Sequence, residues 1–478
     1  MLARSIKDRT ILHIDFNSYF ATVEQQANPR LRGKPIGVTG GDRVKRTVLG
    51  AASVEAKKFG VKTGMQIWEA KKLCPNLILV PGDSDKYLEV TKRFLAILSS
   101  YSPYVEVFSI DECFMEIVAS RNPSTSFEKS LDSGLLTLVT TAKAIKSRIK
   151  AEIGDYITCS IGISYNKLMA KLAGSLKKPD GLVVIKNQEE AIKILDKIEL
   201  DEICGIGPRI KRRLNNMGIF NFYQLRRAPL KALLASFKSY GRILYNMARG
   251  IDESKLIPYF EKEEVKSIGH RYTIDHDTSD PDEIKQILLK LTELIARRLR
   301  AKNLVGKTIH CWYRESLVRI YNPGLVTQIQ TGIGFAGGFG RDGMPASPAF
   351  GVASRGEQTT VFYTNDGLEI FKAAWKIFNQ IWDKGEIRMI GASVSNLKPM
   401  LPQTLSFLPE TRRQERLLDV IDKINDKYGE FTLERGTLLG SSKMRRMPNP
   451  FLSDRRFKFN PRKKPLAGLS SRTCKPFG

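Results

Sequence analysis

HIDFNSYFATVE, residues 13–24, contains a switch from a strand pattern to a helix pattern on which the interpretation of this chain rests. The apolar run 11–16 carries Asp15 near its end, and NSYFATVE then has the spacing of a helix start. A second strand pattern, VEVFSI, runs directly into Asp111 and Glu112. Because strand ends can lie side by side in one sheet, the sequence predicts that these three carboxylates converge.

Convergent carboxylates are typical of a site for divalent cations. Joining a 3′ hydroxyl to an α-phosphate uses two such ions, one to activate the attacking oxygen and one to hold the triphosphate. Hard cations prefer oxygen ligands, so Mg²⁺ fits this set. Each acid taken alone is explained equally well as a turn or helix-cap residue. Their combination at two strand ends favours the metal site.

Length and charge narrow the class of protein. The chain has 478 residues of which 42% are hydrophobic, enough for three or four domains. Lys and Arg outnumber Asp and Glu by 77 to 50, which gives a net charge of +27. Such an excess favours a polyanionic partner, with nucleic acid first and an anionic membrane surface second, although basicity could also serve solubility alone.

Cysteine usage and hydropathy exclude several other classes. The six cysteines are scattered without a CxxC pair, and four histidines are present, so neither a disulfide framework nor a zinc site is predicted. No run of about eighteen apolar residues occurs, and the first residues lack a signal-peptide pattern. We therefore expect a cytoplasmic protein that does not enter the membrane.

The order of patterns along the chain predicts several domains. Strand and helix patterns alternate in the first third, which predicts an α/β core. Residues 198–250 are helical with short loops, and the charged segment 251–266 is interpreted as a connector. An α+β unit should follow, interrupted by the glycine-rich stretch 321–356, which we interpret as a mobile loop. Residues 440–478 hold eleven Lys or Arg against one Asp, as in a disordered basic tail.

A glycine pair within the helical segment predicts contact with DNA. The sequence LDEICGIGPRIKRRL, residues 200–214, resembles a helix-hairpin-helix motif. Its glycines would let the backbone approach a phosphate, and the following helix start and basic side chains favour an anion. A lone GIG is often just a helix C-cap, but the basic cluster strengthens the prediction. The predicted DNA-binding residues are Gly205, Gly207, Arg209, Lys211 and Arg212.

Four motifs taken together resemble one family. HIDFNSYFATVE, VEAKKFGVKTGM, SIDECF and SIGISYNKLMAKLAGSLKKPDG occur in the order found in the Y family of DNA polymerases, the group that includes DNA polymerases IV and V. The resemblance implies a right-hand polymerase of α/β and α+β domains. Its implied parts are a palm at 1–20 and 86–185, fingers at 21–85, a helical thumb with the helix-hairpin-helix at 186–253, a linker at 254–265, a little finger at 266–400 around the glycine-rich loop 321–356, a clamp peptide with a helical extension at 401–439, and the basic tail at 440–478.

The resemblance also implies roles for particular residues. The metal ligands for two Mg²⁺ ions would be Asp15, the backbone carbonyl of Phe16, Asp111 and Glu112. Many relatives have Asp where this chain has Asn17, but that position is not a ligand in the family.

Nucleotide contacts are implied at four further positions. Phe20 would lie under the incoming sugar as a steric gate against a ribose 2′ hydroxyl, and Lys57 and Lys178 would contact the triphosphate. Lys57 and Val54 replace the Arg and Tyr usual in the family, which loses a bidentate donor and a hydroxyl. The resemblance also implies that Tyr19 contributes to nucleotide binding, and Tyr19 or Lys167 could compensate for the two replaced residues. A solvated surface lysine remains the alternative for Lys57 and Lys178.

A short peptide predicts a further partner. Gln403, Leu405 and Phe407 resemble the peptide by which bacterial polymerases bind the sliding clamp, although a linker that packs its own apolar residues explains them equally well. The predicted function is low-fidelity translesion synthesis by a monomer that adds dNTPs to primer-template DNA. Two alternatives stay open: a non-catalytic accessory protein that binds DNA and the clamp, and a general basic DNA-binding protein.

Overall fold

The computed structural model describes residues 9–40, 48–117, 131–261, 264–316, 354–400, 409–429 and 431–438. The chain divides into two units, and the boundary between Lys262 and Glu263 falls inside the segment predicted to be a linker. The predicted clamp peptide, the basic tail and most of the glycine-rich stretch lie outside the described residues.

The first unit contains eight strands and eleven α-helices among its described residues. Its strands are β1 (Thr10–Phe16), β2 (Ile36–Thr39), β3 (Leu49–Ala52), β4 (Ile78–Pro81), β5 (Val105–Val107), β6 (Glu112–Ile117), β7 (Cys159–Ser164) and β8 (Leu182–Val184). Its helices are α1 (Tyr19–Ala27), α2 (Val54–Lys58), α3 (Ile67–Leu73), α4 (Ser84–Ser99), α5 (Leu131–Glu152), α6 (Lys167–Leu176), α7 (Gln188–Leu195), α8 (Pro208–Asn215), α9 (Phe222–Arg227), α10 (Leu230–Phe237) and α11 (Ser239–Met247).

The central sheet of the first unit has the strand order β5-β6-β1-β7-β8. β1 pairs antiparallel with both β6 and β7, and β7 pairs in parallel with β8. Ile11, Leu12 and Ile14 of β1 are fully buried, which follows from helices that cover both faces of the sheet. The predicted α/β core is confirmed, and β1 is its middle strand.

A second, three-stranded sheet with the order β3-β2-β4 lies between α1 and α4 in the sequence. β2 pairs antiparallel with β3 and parallel with β4. Together with α2 and α3 this sheet encloses a small core of its own that includes Leu49, Val61 and Ile67. α2 begins at a cap, because the Ser53 hydroxyl accepts a hydrogen bond from the Ala56 N–H.

Helices α7 to α11 form a bundle around Leu214, Phe222, Leu233 and Leu244. The Tyr165 hydroxyl and the Asn166 amide both donate to the carbonyl of Gly250, each over 2.9 Å. These bonds tie the end of the bundle to the start of α6.

The second unit is an antiparallel sheet with helices on one face. Its elements are β9 (Ser267–Thr278), α12 (Pro281–Arg300), β10 (Leu304–Glu315), β11 (Ser354–Thr364), α13 (Gly367–Ile381), β12 (Ile387–Pro399) and α14 (Pro409–Tyr428). The strand order is β11-β10-β12-β9, and α12 and α13 share one core with it. The predicted α+β unit is confirmed, and the buried face of α13 carries Phe371 and Phe378. Arg300 of α12 donates two hydrogen bonds to the carboxylate of Asp422 on α14 and so holds that helix.

One predicted boundary in this unit is wrong. The loop was expected to continue to Gly356, but β11 already begins at Ser354. Gly356 pairs with Trp312 of β10, and a Cβ at Gly356 would lie 2.6 Å from the Trp312 Cβ. Glycine at this position is therefore required by the close strand pairing, not by a loop.

Candidate active site

Strand pairing brings the three predicted carboxylates together. In the antiparallel register of β1 and β6, Asp15 lies directly opposite Glu112. Asp111 immediately precedes β6, and the Phe16 N–H donates to the Asp111 carbonyl over 3.0 Å. Residues opposite one another in such a pair have Cβ atoms about 5 Å apart, and like charges there repel. The site therefore needs nearby cations.

Asp111 carries the strongest sign of uncompensated negative charge. Burial, together with the carboxylates of Asp15 and Glu112, raises the pKa of Asp111 to about 6, against an opposing hydrogen bond from the Ser109 hydroxyl. A bound cation would remove this cost, because it favours the ionised carboxylate. The oxygen donors and the unmet charge of Asp111 fit the predicted divalent metal.

Glu112 has partners that compensate its charge. Lys171 Nζ of α6 lies 2.5 Å from Glu112 Oε2, and His13 Nε2 lies 3.2 Å from the same oxygen. Burial acts to raise the pKa of Glu112, but the His13 hydrogen bond and the Lys171 ammonium outweigh it and lower that pKa to about 2. Burial lowers the pKa of His13, so its ring is neutral at pH 7. Glu112 is thus ionised throughout the neutral range.

The prediction of site residues missed His13 and Lys171. Ligand atoms of His13, Asp15 and Glu112 all lie within 4.8 Å of one another. His13 could have been found from the sequence, because residues two apart on a strand face the same side. Lys171 could not, since only the packing of α6 on the sheet brings it to Glu112.

The two predicted triphosphate lysines lie beside the carboxylates. Lys178 Nζ is 2.9 Å from Asp15 Oδ1. Partial burial and then the ammonium of Lys178 lower the pKa of Lys57, while Asp15 and Asp111 act in the opposite direction. Lys57 and Lys178 are therefore close enough to act on one another and on the same acids.

Asn17 fixes the segment that carries Lys178. Its Oδ1 accepts from the Asp180 N–H over 2.8 Å and from the Thr158 hydroxyl over 3.2 Å, and its Nδ2 donates to Ser160 Oγ over 3.0 Å. These bonds engage both the oxygen and the nitrogen of the Asn17 side chain in joining β1 to β7 and to the turn after Lys178. The side chain is thus a support for the site and is not directed at its metal ligands.

The polar atoms of the Tyr19 and Lys167 side chains have partners other than the three carboxylates. The Tyr19 hydroxyl is buried and donates to the Tyr87 carbonyl over 2.8 Å, and it lies 2.7 Å from Thr91 Oγ1. Lys167 Nζ pairs with both oxygens of Glu106 at 2.7 and 2.8 Å. The predicted contact of the Tyr19 side chain with a nucleotide is corrected accordingly, because the ring faces the core. Compensation for Val54 by Lys167 is likewise unsupported.

Phe20 lies one residue further along α1 and is 8% exposed. Its ring centroid is 4.5 Å from that of Tyr87, whose hydroxyl donates to Glu24 over 2.8 Å. Tyr87 is itself fully buried, so it forms a fixed support for the Phe20 ring. Phe20 thus lies just beyond the end of β1 as part of the core around Tyr87, and its role as a steric gate stays a prediction.

The helix-hairpin-helix segment has the predicted open backbone. Gly207 is the N-cap of α8, and no heavy atom lies within 4 Å of a Cβ built on it. Gly205 has φ of +107°, and its carbonyl accepts a hydrogen bond from the Tyr240 hydroxyl over 2.7 Å. Arg209 and Arg212 are exposed. A phosphate could approach the N–H groups at this helix start.

Lys211, also predicted to bind DNA, is already paired. Its Nζ lies 2.7 Å from Asp201 Oδ1 and 3.0 Å from Glu199 Oε2. These two acids raise the pKa of Lys211 and offset its charge. The charge of Lys211 is thus less available to a phosphate than the charges of Arg209 and Arg212. The sequence did not distinguish among these three residues.

Comparison with known proteins agrees with this geometry. The impB/mucB/samB family matches residues 14–175, the C-terminal domain of that family matches residues 265–407, and the thumb domain described for DNA polymerase-iota matches residues 201–252. DNA polymerase IV of Moorella thermoacetica is 33% identical over 434 residues, which covers 90% of this chain and 96% of the relative. The chain belongs to the Y family of DNA polymerases.

Other Y-family proteins give the same result. DNA polymerase IV of Pelotomaculum thermopropionicum is 33% identical over 431 residues, or 90% of this chain and 95% of that protein. A solved Y-family DNA polymerase chimera has the same fold, with a TM-score of 0.61 and 24% identity over 82% of this chain and 99% of the other. The resemblance inferred from four sequence motifs is confirmed, as is the Y-family fold class.

Proposed function

We propose that this chain is a DNA-directed DNA polymerase that adds dNTPs to a primer in translesion synthesis, by nucleotidyl transfer at Asp15, Asp111 and Glu112. The observation that carries the proposal is the convergence of these acids at adjacent strand ends, beside two lysines, in a chain of this family. A purely accessory role would not require three mutually repelling carboxylates. The family membership supports the polymerase activity itself.

The carboxylates and the Phe16 carbonyl are proposed to hold two Mg²⁺ ions. Such ions supply activation of the primer 3′ hydroxyl and charge neutralisation of the triphosphate. Asp111, with its pKa raised to about 6, is the acid that gains most from a cation. Lys171 and His13 hold Glu112 from the other side and keep it ionised.

Lys57 and Lys178 are proposed to bind the triphosphate. Both lie near Asp15, so a phosphate held by them would be next to the carboxylates. Lysine offers a point charge instead of the two parallel donors of arginine, which weakens the geometric constraint on the phosphate. Phe20 is proposed as the steric gate, since Tyr87 packs against its ring and limits retreat from a 2′ hydroxyl.

DNA is proposed to be gripped without regard to sequence by the start of α8. Gly207 is open to a phosphate, and Arg209 and Arg212 stand exposed one turn apart. Contacts of this kind position the duplex without reading bases, as a polymerase requires. The net charge of +27 supports a salt-dependent grip on any DNA.

Further features of the biology remain part of the proposal. The chain is proposed to act as a cytoplasmic monomer and to use Gln403, Leu405 and Phe407 to reach a sliding clamp. Among the described residues, none of the helices has the length and apolarity needed to span a bilayer.

Primer extension with Mg²⁺ tests the proposed activity. Glu112→Gln should bind primer-template DNA nearly as the parent does and should lose nucleotide addition, because the substitution removes a ligand needed at the reaction centre. Glu152→Gln is the matched control, since Glu152 is an exposed acid on α5 that forms a surface ion pair with Arg148. An inactive parent chain that still binds DNA would instead support the accessory protein, and full activity of Glu112→Gln would refute the site.

A further inference from the structure

Trp68, at the start of α3, presents a largely exposed indole. All four tryptophans are among the described residues, and Trp68 is 61% exposed whereas Trp382 is 6% exposed and Trp312 and Trp375 are partly buried. Leaving a large aromatic side chain in water forgoes the burial that stabilises most indoles. An exposed indole that is also fixed in position therefore points to a binding partner.

Polar contacts fix the Trp68 ring. The indole Nε1 donates to Gln66 Oε1 within the same segment. Lys72, one turn along α3, places its Nζ 5.6 Å from the ring centroid. A hydrogen bond and a cation–π contact orient the ring without covering most of it.

The surroundings of Trp68 are basic and polar. Residues 54–76 contain five lysines and two glutamates. Lys71, Lys72 and Glu69 are exposed on α3 around the indole. The exposed Leu73 is directed elsewhere, since a Cβ on Gly60 would lie 3.8 Å from it. A lone aromatic ring among lysines is complementary to a stacked base and its phosphates more than to an apolar protein surface.

The three-stranded sheet β3-β2-β4 fixes where α3, and with it Trp68, begins. The Leu49 N–H, at the start of β3, donates to the Met65 carbonyl over 2.9 Å, and α3 follows two residues later. α2, with Lys57, follows the other end of β3. A four-residue strand spans about 13 Å. Trp68 thus follows the segment bonded to the start of β3, whereas α2, which carries Lys57, follows the end of β3.

We infer that Trp68 is a stacking platform for an unpaired base of the single-stranded template ahead of the position being copied, with Lys72 and Lys71 next to its phosphates. The inference rests on the proposed polymerase function, because only a copied template supplies such a strand. Stacking on an aromatic ring accepts any base, so the platform would serve damaged and undamaged templates alike. Its effect would be to hold the template in line before each base enters the site.

Binding and extension on templates of graded overhang test this inference. Primer-templates that end at the templating base are compared with templates that carry one, two or four further unpaired nucleotides. The parent chain should bind the longer templates more tightly and use them with a lower KM for DNA. In Trp68→Ala, the gain in affinity that the overhang provides should be about tenfold smaller than in the parent. Trp68→Phe should keep part of this gain, because a smaller ring still stacks.

Controls separate stacking from general effects. Phe59→Ala removes another exposed aromatic side chain of the same subdomain, which lines a different cavity with Cys74 and Pro75, and should leave the dependence on overhang unchanged. A template with 2-aminopurine at the first unpaired position reports stacking directly, as fluorescence quenching in the parent that is weaker in Trp68→Ala.

Several outcomes would overturn the inference. Equal loss of binding by Trp68→Ala on all templates would indicate a general DNA contact, and an altered oligomeric state of the variant would indicate a protein interface. Unchanged overhang dependence and unchanged quenching would leave the indole without this role. In each case the parent chain still extends primers, whereas a parent chain without any extension refutes the polymerase function instead.

Discussion

Asp111→Asn should make the metal-free protein more stable while it destroys the activity. Burial and two neighbouring acids raise the pKa of Asp111 from 3.8 to about 6. Each pKa unit corresponds to about 1.4 kcal/mol, so ionised Asp111 costs the folded protein about 3 kcal/mol at neutral pH. Asparagine keeps the shape and the acceptor for Ser109 but is not charged. Since its amide also loses hydration, the expected gain is about 1 to 3 kcal/mol.

Thermal unfolding in EDTA measures this gain. A unit of this size shifts its melting temperature by about 2 to 4 °C per kcal/mol, so Asp111→Asn should melt several degrees above the parent at pH 7.5. The difference should shrink as the pH falls from 6 towards 4. In that range Asp111 takes up its proton in the folded protein before it does so in the unfolded chain, which stabilises the parent. The variant has no such proton to bind.

Asp155→Asn is the matched control for this prediction. Asp155 is 76% exposed and only 3.4 Å from Arg32 Nη2, a surface pair whose loss changes stability by less than about 1 kcal/mol. Adding Mg²⁺ should raise the melting temperature of the parent more than that of Asp111→Asn, because the variant lacks one ligand. A variant that melts below the parent in EDTA, or that gains equally from Mg²⁺, would refute the reasoning.

Three further predictions address other parts of the site. Phe20→Ala should raise ribonucleotide incorporation by about 100-fold while dNTP addition persists, and an unchanged ratio in single-nucleotide assays would rule out the gate. Thr91 donates to the Ile110 carbonyl over 2.8 Å, so Thr91→Val should loosen the segment before the catalytic pair, cost about 1 to 3 kcal/mol and raise the Mg²⁺ concentration needed for half-maximal metal-induced stabilisation. Thr91→Ser keeps the hydroxyl and should bring the half-maximal Mg²⁺ concentration back to the parent value, whereas a loss of packing alone would not be reversed by serine. Leu405→Ala with Phe407→Ala should spare extension of a bare primer but abolish stimulation by a clamp; equal stimulation of parent and variant would make the peptide a linker.

Much of the fold was predictable because local patterns specify it. The strand that carries Asp15, the cap of α12 at Asp280 and the aromatic face of α13 all follow from periodicity and capping chemistry. Predictions of this kind succeed because hydrogen bonds along a helix or strand involve residues close in sequence.

The candidate site was predictable in its acids but not in their partners. Two strand ends with carboxylates can be recognised in the sequence, and the resemblance to a family adds the lysines. The register that sets Asp15 opposite Glu112 is consistent with both patterns. By contrast, Lys167 and Lys171 look alike in the sequence, and one pairs with Glu106 while the other pairs with Glu112. Which acid each meets depends on how α6 lies on the sheet.

The sequence by itself determined the strand ends, the family and the set of acids, since these depend on local periodicity and on residue identity. Only the tertiary structure decided that both Tyr19 and Phe20 are buried, with the Tyr19 hydroxyl bonded to the Tyr87 carbonyl and the Phe20 ring against Tyr87, because an amphipathic helix start does not fix which rings face inward. It also decided that Lys211 is paired with Asp201 whereas Arg209 and Arg212 are exposed. Contacts between residues far apart in the chain depend on the packing of whole elements, and the free energy of burial that fixes this packing is shared among all of them.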